Sequence, residues 1–361
     1  MTTQEGCKLR RQRLLDWLKP DGPLLLGDPL NLRYLANFSV DPFSLGADYG
    51  GFLLLRPDGK TTLYHDHRLP KSVELASVDE RVPVKWYDGK SPGHGPRRMI
   101  LKPVVELVWT DGRIHDSLGD PLAPDLWHAV AELRRAKDDD EIDRLKQCMT
   151  AGDAGQAWAR ANVKPGMTEL DVYNGIFAES ARTAGHPVIL YGDFTVSPGS
   201  AKRGGPPTAH VLQAGETLIL DFSVVIQGYR SDFTNTLVVG GRPTPEQTRI
   251  FDLCVAAMQA GERHLRADVT ALEVYRAVRK VFEAAGMADH FPHHAGHGLG
   301  LAHPEAPFFV QDATETLVAG DVVTLEPGLY VDGVGGVRVE HNYLVTESGY
   351  ERLSNHVISL T

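Results

Sequence analysis

Apolar residues in the first third of the chain come in short runs, Leu24 to Leu26, Phe52 to Leu55, Thr61 to Tyr64, Ile100 and Val104 to Trp109, separated by stretches rich in Pro and Gly. Runs of this length bounded by breakers predict short strands among helices and loops, and so a small α/β domain over residues 1–128. Beyond it the period changes. Ile142, Leu145 and Met149 recur at helical spacing within a stretch from Glu132 to Arg160, which predicts one long helix opening a second domain over 129–361. The boundary is expected between Pro121 and Ala131.

Three more helices carry start signals, each a hydroxyl followed three residues later by an acid or amide: Thr168 with Asp171, Thr244 with Gln247 behind Pro245, and Thr270 with Glu273. Phe251, Cys254, Val255 and Met258 line one face of the second, and Val274, Tyr275, Val278, Val281 and Phe282 one face of the third. Strands are predicted at Thr217 to Ile226, Tyr229 to Val239, Val322 to Val331 and Val337 to Thr346. Helices interleaved with hairpins give an α+β domain in which helices cover one face of an antiparallel sheet.

The 361 residues carry a formal net charge of -10, which disfavours nucleic acid and anionic membranes as partners. No apolar stretch is long enough for a signal peptide or a membrane span, and three cysteines without C-x-x-C spacing suggest neither a disulfide framework nor a zinc knuckle. A cytoplasmic protein is expected.

The chemistry concentrates in LILDFSVVIQGYRSDFTNTLVV. A two-residue turn at Gln227-Gly228 pairs Ile226 with Tyr229, Ser223 with Asp232 and Asp221 with Thr234, so Asp221 and Asp232 become diagonal neighbours on one sheet face. Two carboxylates that close repel unless a cation neutralises them. His297 in AGHGLGL, Glu326 in VVTLEPGLY and Glu340 in GGVRVEHNYLVTE follow in the same domain. Taken singly, each has an ordinary explanation as a loop or strand-end residue. Together, four carboxylates and one imidazole form a hard, oxygen-rich set suited to two Mn, Co, Zn or Fe ions.

This pattern resembles the methionine aminopeptidase, prolidase and aminopeptidase P superfamily of metallopeptidases, the M24 family, whose fold is called pita-bread. NLRYLANF at Asn31 to Phe38 and the ELRRAKDDDEI junction are similar to the prolidase and aminopeptidase P branch, which carries a creatinase-like N-terminal domain ahead of the pita-bread catalytic domain. The resemblance implies that Asp221 ligates one metal, Asp232 and Glu340 bridge both, and His297 and Glu326 complete the second site. Glu326 would also serve as general acid/base. Hydrolysis of Xaa-Pro bonds at the N-terminus of short peptides is the implied activity, and a homodimer the expected assembly.

Two substrate-contacting histidines of that pattern are missing. The family's P-H-G-x-P stretch reads AKRGGPPTAHVL here, with Arg203, Gly204 or Gly205 at the histidine's place and His210 too near Asp221 to replace it. Its V-H-E-x-P reads A-H-P-E-A-P, which moves His303 one position back. His293 or His294 is a candidate for an imidazole near the metals, and Arg338 for orienting the bridging carboxylate or a substrate carboxylate. The losses leave room for a carboxypeptidase-like specificity. A metal-free creatinase-like enzyme or a binding protein should have lost ligands, and all five are present. In the first domain, Asp48 and Tyr49 are candidate substrate contacts, Tyr34, Trp86, Trp109 and Trp127 packing residues, and His65 and His67 residues of a surface turn.

Overall fold

A computed structural model describes residues 2–39, 50–85, 89–90 and 123–361. Asp48, Tyr49, Trp86, Trp109 and the runs at Ile100 and Val104 to Trp109 lie outside them. The chain divides into two compact units, 1–134 and 135–361.

In the first unit, helix α1 (Gln4–Leu18) precedes strand β1 (Leu24–Leu26), helix α2 (Pro29–Ala36), strands β2 (Gly51–Leu55) and β3 (Thr61–Asp66), helix α3 (Pro70–Glu74), strand β4 (Glu80–Val84) and helix α4 (Ala123–Leu133). The sheet runs β1-β2-β3-β4, antiparallel except for the β3/β4 pair, in keeping with the small α/β domain expected. Arg10 and Arg11 of α1 are buried among the apolar side chains because α2 leaves its last carbonyls unpaired. Arg10 Nε donates to the Tyr34 carbonyl at 2.9 Å and Arg11 Nη1 to the Leu35 carbonyl at 2.6 Å. Tyr34 is the core residue expected, whereas Trp127, also expected to pack, is exposed. His65 departs from its expected place in a surface turn: it is buried at the end of β3 beside a fully buried Asp66.

The second unit opens with helix α5 (Asp139–Asn162), seven residues later than the expected start at Glu132. Five residues separate it from α4, because the run of acids is a helix start and not a helix interior. Glu141 Oε2 accepts from the Asp138 N–H at 3.1 Å, which caps the first turn, and three acids there favour the positive end of the helix dipole. Helices α6 (Glu169–Ala184), α7 (Pro245–Glu262) and α8 (Ala271–Ala284) begin behind Thr168, Thr244 and Thr270, and each hydroxyl accepts the backbone N–H three residues on. Thr270→Ala is expected to lower stability by about 1 kcal/mol, read as a shift in the urea midpoint at constant slope.

Strand pairing throughout this unit is antiparallel. Strands β5 (Ile189–Val196), β7 (Tyr229–Arg230) and β8 (Phe233–Val238) pair with β6 (Thr217–Ile226). A second sheet runs β10 (Glu305–Phe309), β9 (Gly296–Gly298), β11 (Val322–Leu325), β14 (His341–Val345), β15 (Tyr350–Arg352), and β12 (Gly328–Val331) pairs with β13 (Gly335–Arg338). Cys254 and Met258 of α7 and Val274, Val278 and Phe282 of α8 pack with Val323, Leu325, Val337 and Tyr343 of the strands in one apolar core. These are the faces the periodicity predicts, and the helix-covered sheet has the pita-bread architecture.

Three of the four predicted strands are broken. The Tyr229 to Val239 run parts at Ser231-Asp232, the Val322 to Val331 run at Glu326-Pro327, and the Val337 to Thr346 run at Val339-Glu340. Each break contains one of the acids singled out above.

Candidate metal centre

Gln227 and Gly228 both have positive φ, 54° and 90°, as a type I′ hairpin turn requires. The turn sets the register: Ile226 faces Tyr229 and Asp221 faces Thr234, with the Ser223 hydroxyl 3.5 Å from the Asp232 carboxylate. Asp232 sits where the ladder opens. Its N–H donates to the Asn342 side-chain carbonyl at 3.0 Å, and the Asn342 amide returns a bond to the Asp232 carbonyl, so the backbone is held without strand pairing.

Glu326 and Glu340 are fixed in the same manner at the other two breaks. The Glu326 N–H donates to the Ala295 carbonyl at 2.9 Å, and Pro327, lacking an N–H, ends the strand. The Glu340 N–H donates to the Thr234 carbonyl at 3.0 Å, while its carboxylate accepts from the hydroxyls of Thr234 at 2.7 Å and Thr324 at 2.5 Å. His297 lies in β9 with Nδ1 at 2.9 Å from its neighbour's carbonyl at Gly298. A ring nitrogen facing a carbonyl must carry the proton, which leaves Nε2 with a free lone pair. That nitrogen stands 3.4 Å from Glu326 and 3.6 Å from Asp232.

The ligand atoms of Asp221, Asp232 and Glu340 lie within 4.8 Å of one another, and so do those of Asp232, His297 and His303, which makes Asp232 common to both groups. Burial and like charges at this separation together set the electrostatics. Burial, reinforced by Asp232, Asp221 and Glu326, raises the Glu340 carboxyl well above its ordinary range. Burial pushes Asp221 up to about 7, with Arg338 offsetting it only in part. For Glu326, burial is outweighed by His294, His297 and His293, which bring the carboxyl down to about 2. Among the described residues the one permanent cation in contact with these four carboxylates is Arg338, on Asp221, and the buried Oε1 of Glu326 faces only imidazole nitrogens, His294 Nδ1 at 3.3 Å and His297 Nε2 at 3.4 Å. Both observations fit the site to divalent cations: carboxylate oxygens with an imidazole nitrogen match the donor preference of Mn, Co and Zn. The cluster is a candidate dinuclear metal centre.

The remaining candidates divide. His303 Nε2 is 2.7 Å from Asp232, so the imidazole displaced by one position faces the cluster. Burial opposes its protonation, yet the bond and charge of Asp232 prevail and its pKa is raised. Of the neighbouring pair, His294 faces Glu326 at 3.3 Å, whereas His293 turns Nε2 to the Tyr330 hydroxyl at 3.1 Å and is pushed down to about 4 by burial. Arg338 contacts Asp221 at 2.6 Å and Asp193 at 2.5 Å; it does not orient Glu340, because its guanidinium reaches back across β6. His210 pairs with Glu216 at 3.0 Å.

Sequence reasoning overlooked Asp193, Thr234, Thr324 and Asn342. Asp193 faces Asp221 across the β5/β6 ladder, a signal that appears only once β5 is paired. It also explains Gly204: a Cβ there would lie 1.9 Å from the Asp193 carboxylate, and the Gly205 N–H donates to that carboxylate at 2.8 Å. A side chain at 204, one of the three positions 203–205 where the family pattern could place its imidazole, would have to displace the Asp193 carboxylate from Arg338 and the Gly205 N–H.

The sequence matches the profile of metallopeptidase family M24 over residues 143–347. An uncharacterized peptidase of Staphylococcus epidermidis is 33% identical over 337 residues, covering 91% of this chain and 93% of the relative. The fold is similar to that of a dipeptidase, PepE, from Mycobacterium ulcerans, 26% identical with a TM-score of 0.78 over 99% of this chain and 98% of that one. It is also similar to that of an Xaa-Pro dipeptidase from Bacillus anthracis, 24% identical with a TM-score of 0.81 over 98% and 99%. Since the matched segment includes every acid and imidazole of the cluster, the chain belongs to metallopeptidase family M24.

Proposed function

We propose that this M24 metallopeptidase hydrolyses the Xaa-Pro bond at the N-terminus of short peptides, as an aminopeptidase P or a dipeptide-specific prolidase. The observation that carries the reading is the convergence of five side chains on a site with too few cations. Asp221, Asp232 and Glu340 would hold one divalent ion, and His297 and Glu326 the other, with Asp232 and Glu340 shared. Two such ions, when bound, activate water as a nucleophile and polarise the scissile carbonyl.

The protein's own groups do the rest. Glu326, which His294 faces at 3.3 Å, accepts a proton from the attacking water and passes it to the leaving amine. His303 orients Asp232 through its 2.7 Å contact, and Arg338 fixes Asp221. Whole-length similarity to a protein described as an Xaa-Pro dipeptidase supports the substrate class. Assaying the metal-loaded enzyme against Ala-Pro, an Xaa-Pro-Yaa tripeptide and peptides varied at the C-terminus tests it: turnover of the first two is expected, and cleavage only at the C-terminal end overturns it.

A carboxypeptidase-like reading draws on the imidazole missing from 203–205, but it needs a cation to receive the peptide's terminal carboxylate. Arg338 is already held by two carboxylates, which weighs against it. Among the described residues no helix is long and apolar enough to cross a membrane. We infer a cytoplasmic homodimer, the compartment on the ground that all three cysteines are buried thiols.

A further inference from the structure

Lys137 and Glu305 form an ion pair almost without solvent access: Nζ to Oε1 is 2.7 Å, and the side chains are 1% and 7% exposed. Desolvating two charges offsets much of their attraction, so such a pair is a poor source of stability but a specific constraint on geometry. What it constrains is the turn that carries His303.

Glu305 uses both carboxylate oxygens. Oε1 faces Lys137, and Oε2 accepts the N–H of Ala302 at 3.2 Å, one residue before His303. The carboxylate therefore spans the turn from its far end back to its middle. Gly300 makes room for the clamp: a Cβ there would lie 2.5 Å from Glu305 Oε1 and 3.1 Å from Lys137 Cε. From the other side, Arg230 Nη2 donates to the Leu301 carbonyl at 3.2 Å. Lys137 is itself anchored, since its N–H donates to the Gly320 carbonyl at 3.1 Å, and Arg135 two residues earlier pairs with buried Asp321 at 2.7 Å. The sequence motif at the start of the unit and the glycine-rich motif of the metal centre thus meet at one buried ion pair.

We propose that Lys137 is a positioning residue: acting through Glu305, it fixes the turn at 300–303 so that His303 stands against Asp232. The proposal rests on reading His303 as a participant in the peptidase site. It also accounts for how an imidazole set one place back in sequence still reaches the cluster.

Hydrogen exchange followed by mass spectrometry on the full chain, free of metal, tests the clamp directly. Lys137→Met, and the doubly neutral K137M/E305Q should the single variant fold poorly, are expected to raise exchange in 298–305 about tenfold while leaving α7 and α8 unchanged. Lys137→Arg should restore protection. Unchanged exchange in that turn overturns the proposal.

A double-mutant cycle on the metal-loaded enzyme tests the route to chemistry. Lys137→Met should lower kcat/KM about tenfold in the parent and less than about twofold in His303→Ala, with the loss in kcat. Independent, additive losses would overturn action through His303. A His303→Ala enzyme as active as the parent would instead remove the role assigned to His303, a result distinguishable from the exchange measurement.

Discussion

Dialysis of the enzyme against a chelator is expected to lower peptidase activity by about a thousandfold or more, and Mn, Co or Zn ions are expected to restore it. The reason is electrostatic before it is catalytic. Asp221, Asp232, Glu326 and Glu340 converge with Arg338 as their permanent counter-ion, and Arg338 also faces Asp193. Without divalent cations the site relieves itself by taking up protons: burial raises Asp221 to about 7 and Glu340 well above its ordinary range. Protons and metal ions then compete. Cation affinity should rise as pH climbs from about 5 through about 7, as Asp221 loses its proton, and titration calorimetry with Mn alone would show it. The same sign governs stability. A carboxyl raised in the folded state favours folding below its unfolded pKa, and that contribution is lost as pH rises through the folded value. Asp221 should therefore make the chelated protein lose stability between about pH 4 and pH 7, and Glu340, raised in the same direction, adds to the loss as pH rises; added metal reverses it. Full activity after verified metal removal would reject the metal-dependent mechanism.

The hairpin bearing Asp221 and Asp232 was legible because Gln227-Gly228 dictates the turn, and with the turn the register of every residue behind it. The helices behind Thr168, Thr244 and Thr270 were legible because a hydroxyl cap is a local signal. The start of α5 was local too, but its cap is Asp138 within a run of acids that reads equally well as a charged helix face. The breaks at Asp232, Glu326 and Glu340 were not legible: their backbone groups are satisfied by Asn342, Ala295 and Thr234, up to 110 residues away. Strand periodicity continues through each break, since only two residues separate the strands on either side. The displacement of Arg338 onto Asp221 is of the same kind. Alternation along β13 places its side chain but does not say which carboxylates lie across the neighbouring strand.

Asp232→Ala and Glu340→Gln are expected to lower kcat by about a thousandfold or more, and His303→Ala by about ten- to a hundredfold. Asp232 is common to two groups of ligand atoms, so its removal disables both cation positions, whereas His303 adds a hydrogen bond to Asp232 and an edge contact with the His297 ring. Stability of the metal-free protein should move the other way for Glu340→Gln. The amide keeps the shape of the carboxylate and can still accept from Thr324 or Thr234, but it cannot ionise against Asp232, Asp221 and Glu326 as pH rises. Its thermal midpoint without metal, at a pH above 7, should therefore be no lower than that of the parent, while its gain in midpoint on adding Mn should largely vanish. Asp232→Ala should likewise lose the response to Mn. Equal activity losses for all three variants would make His303 essential, and an undiminished response of Glu340→Gln to Mn would remove Glu340 from the ligand set.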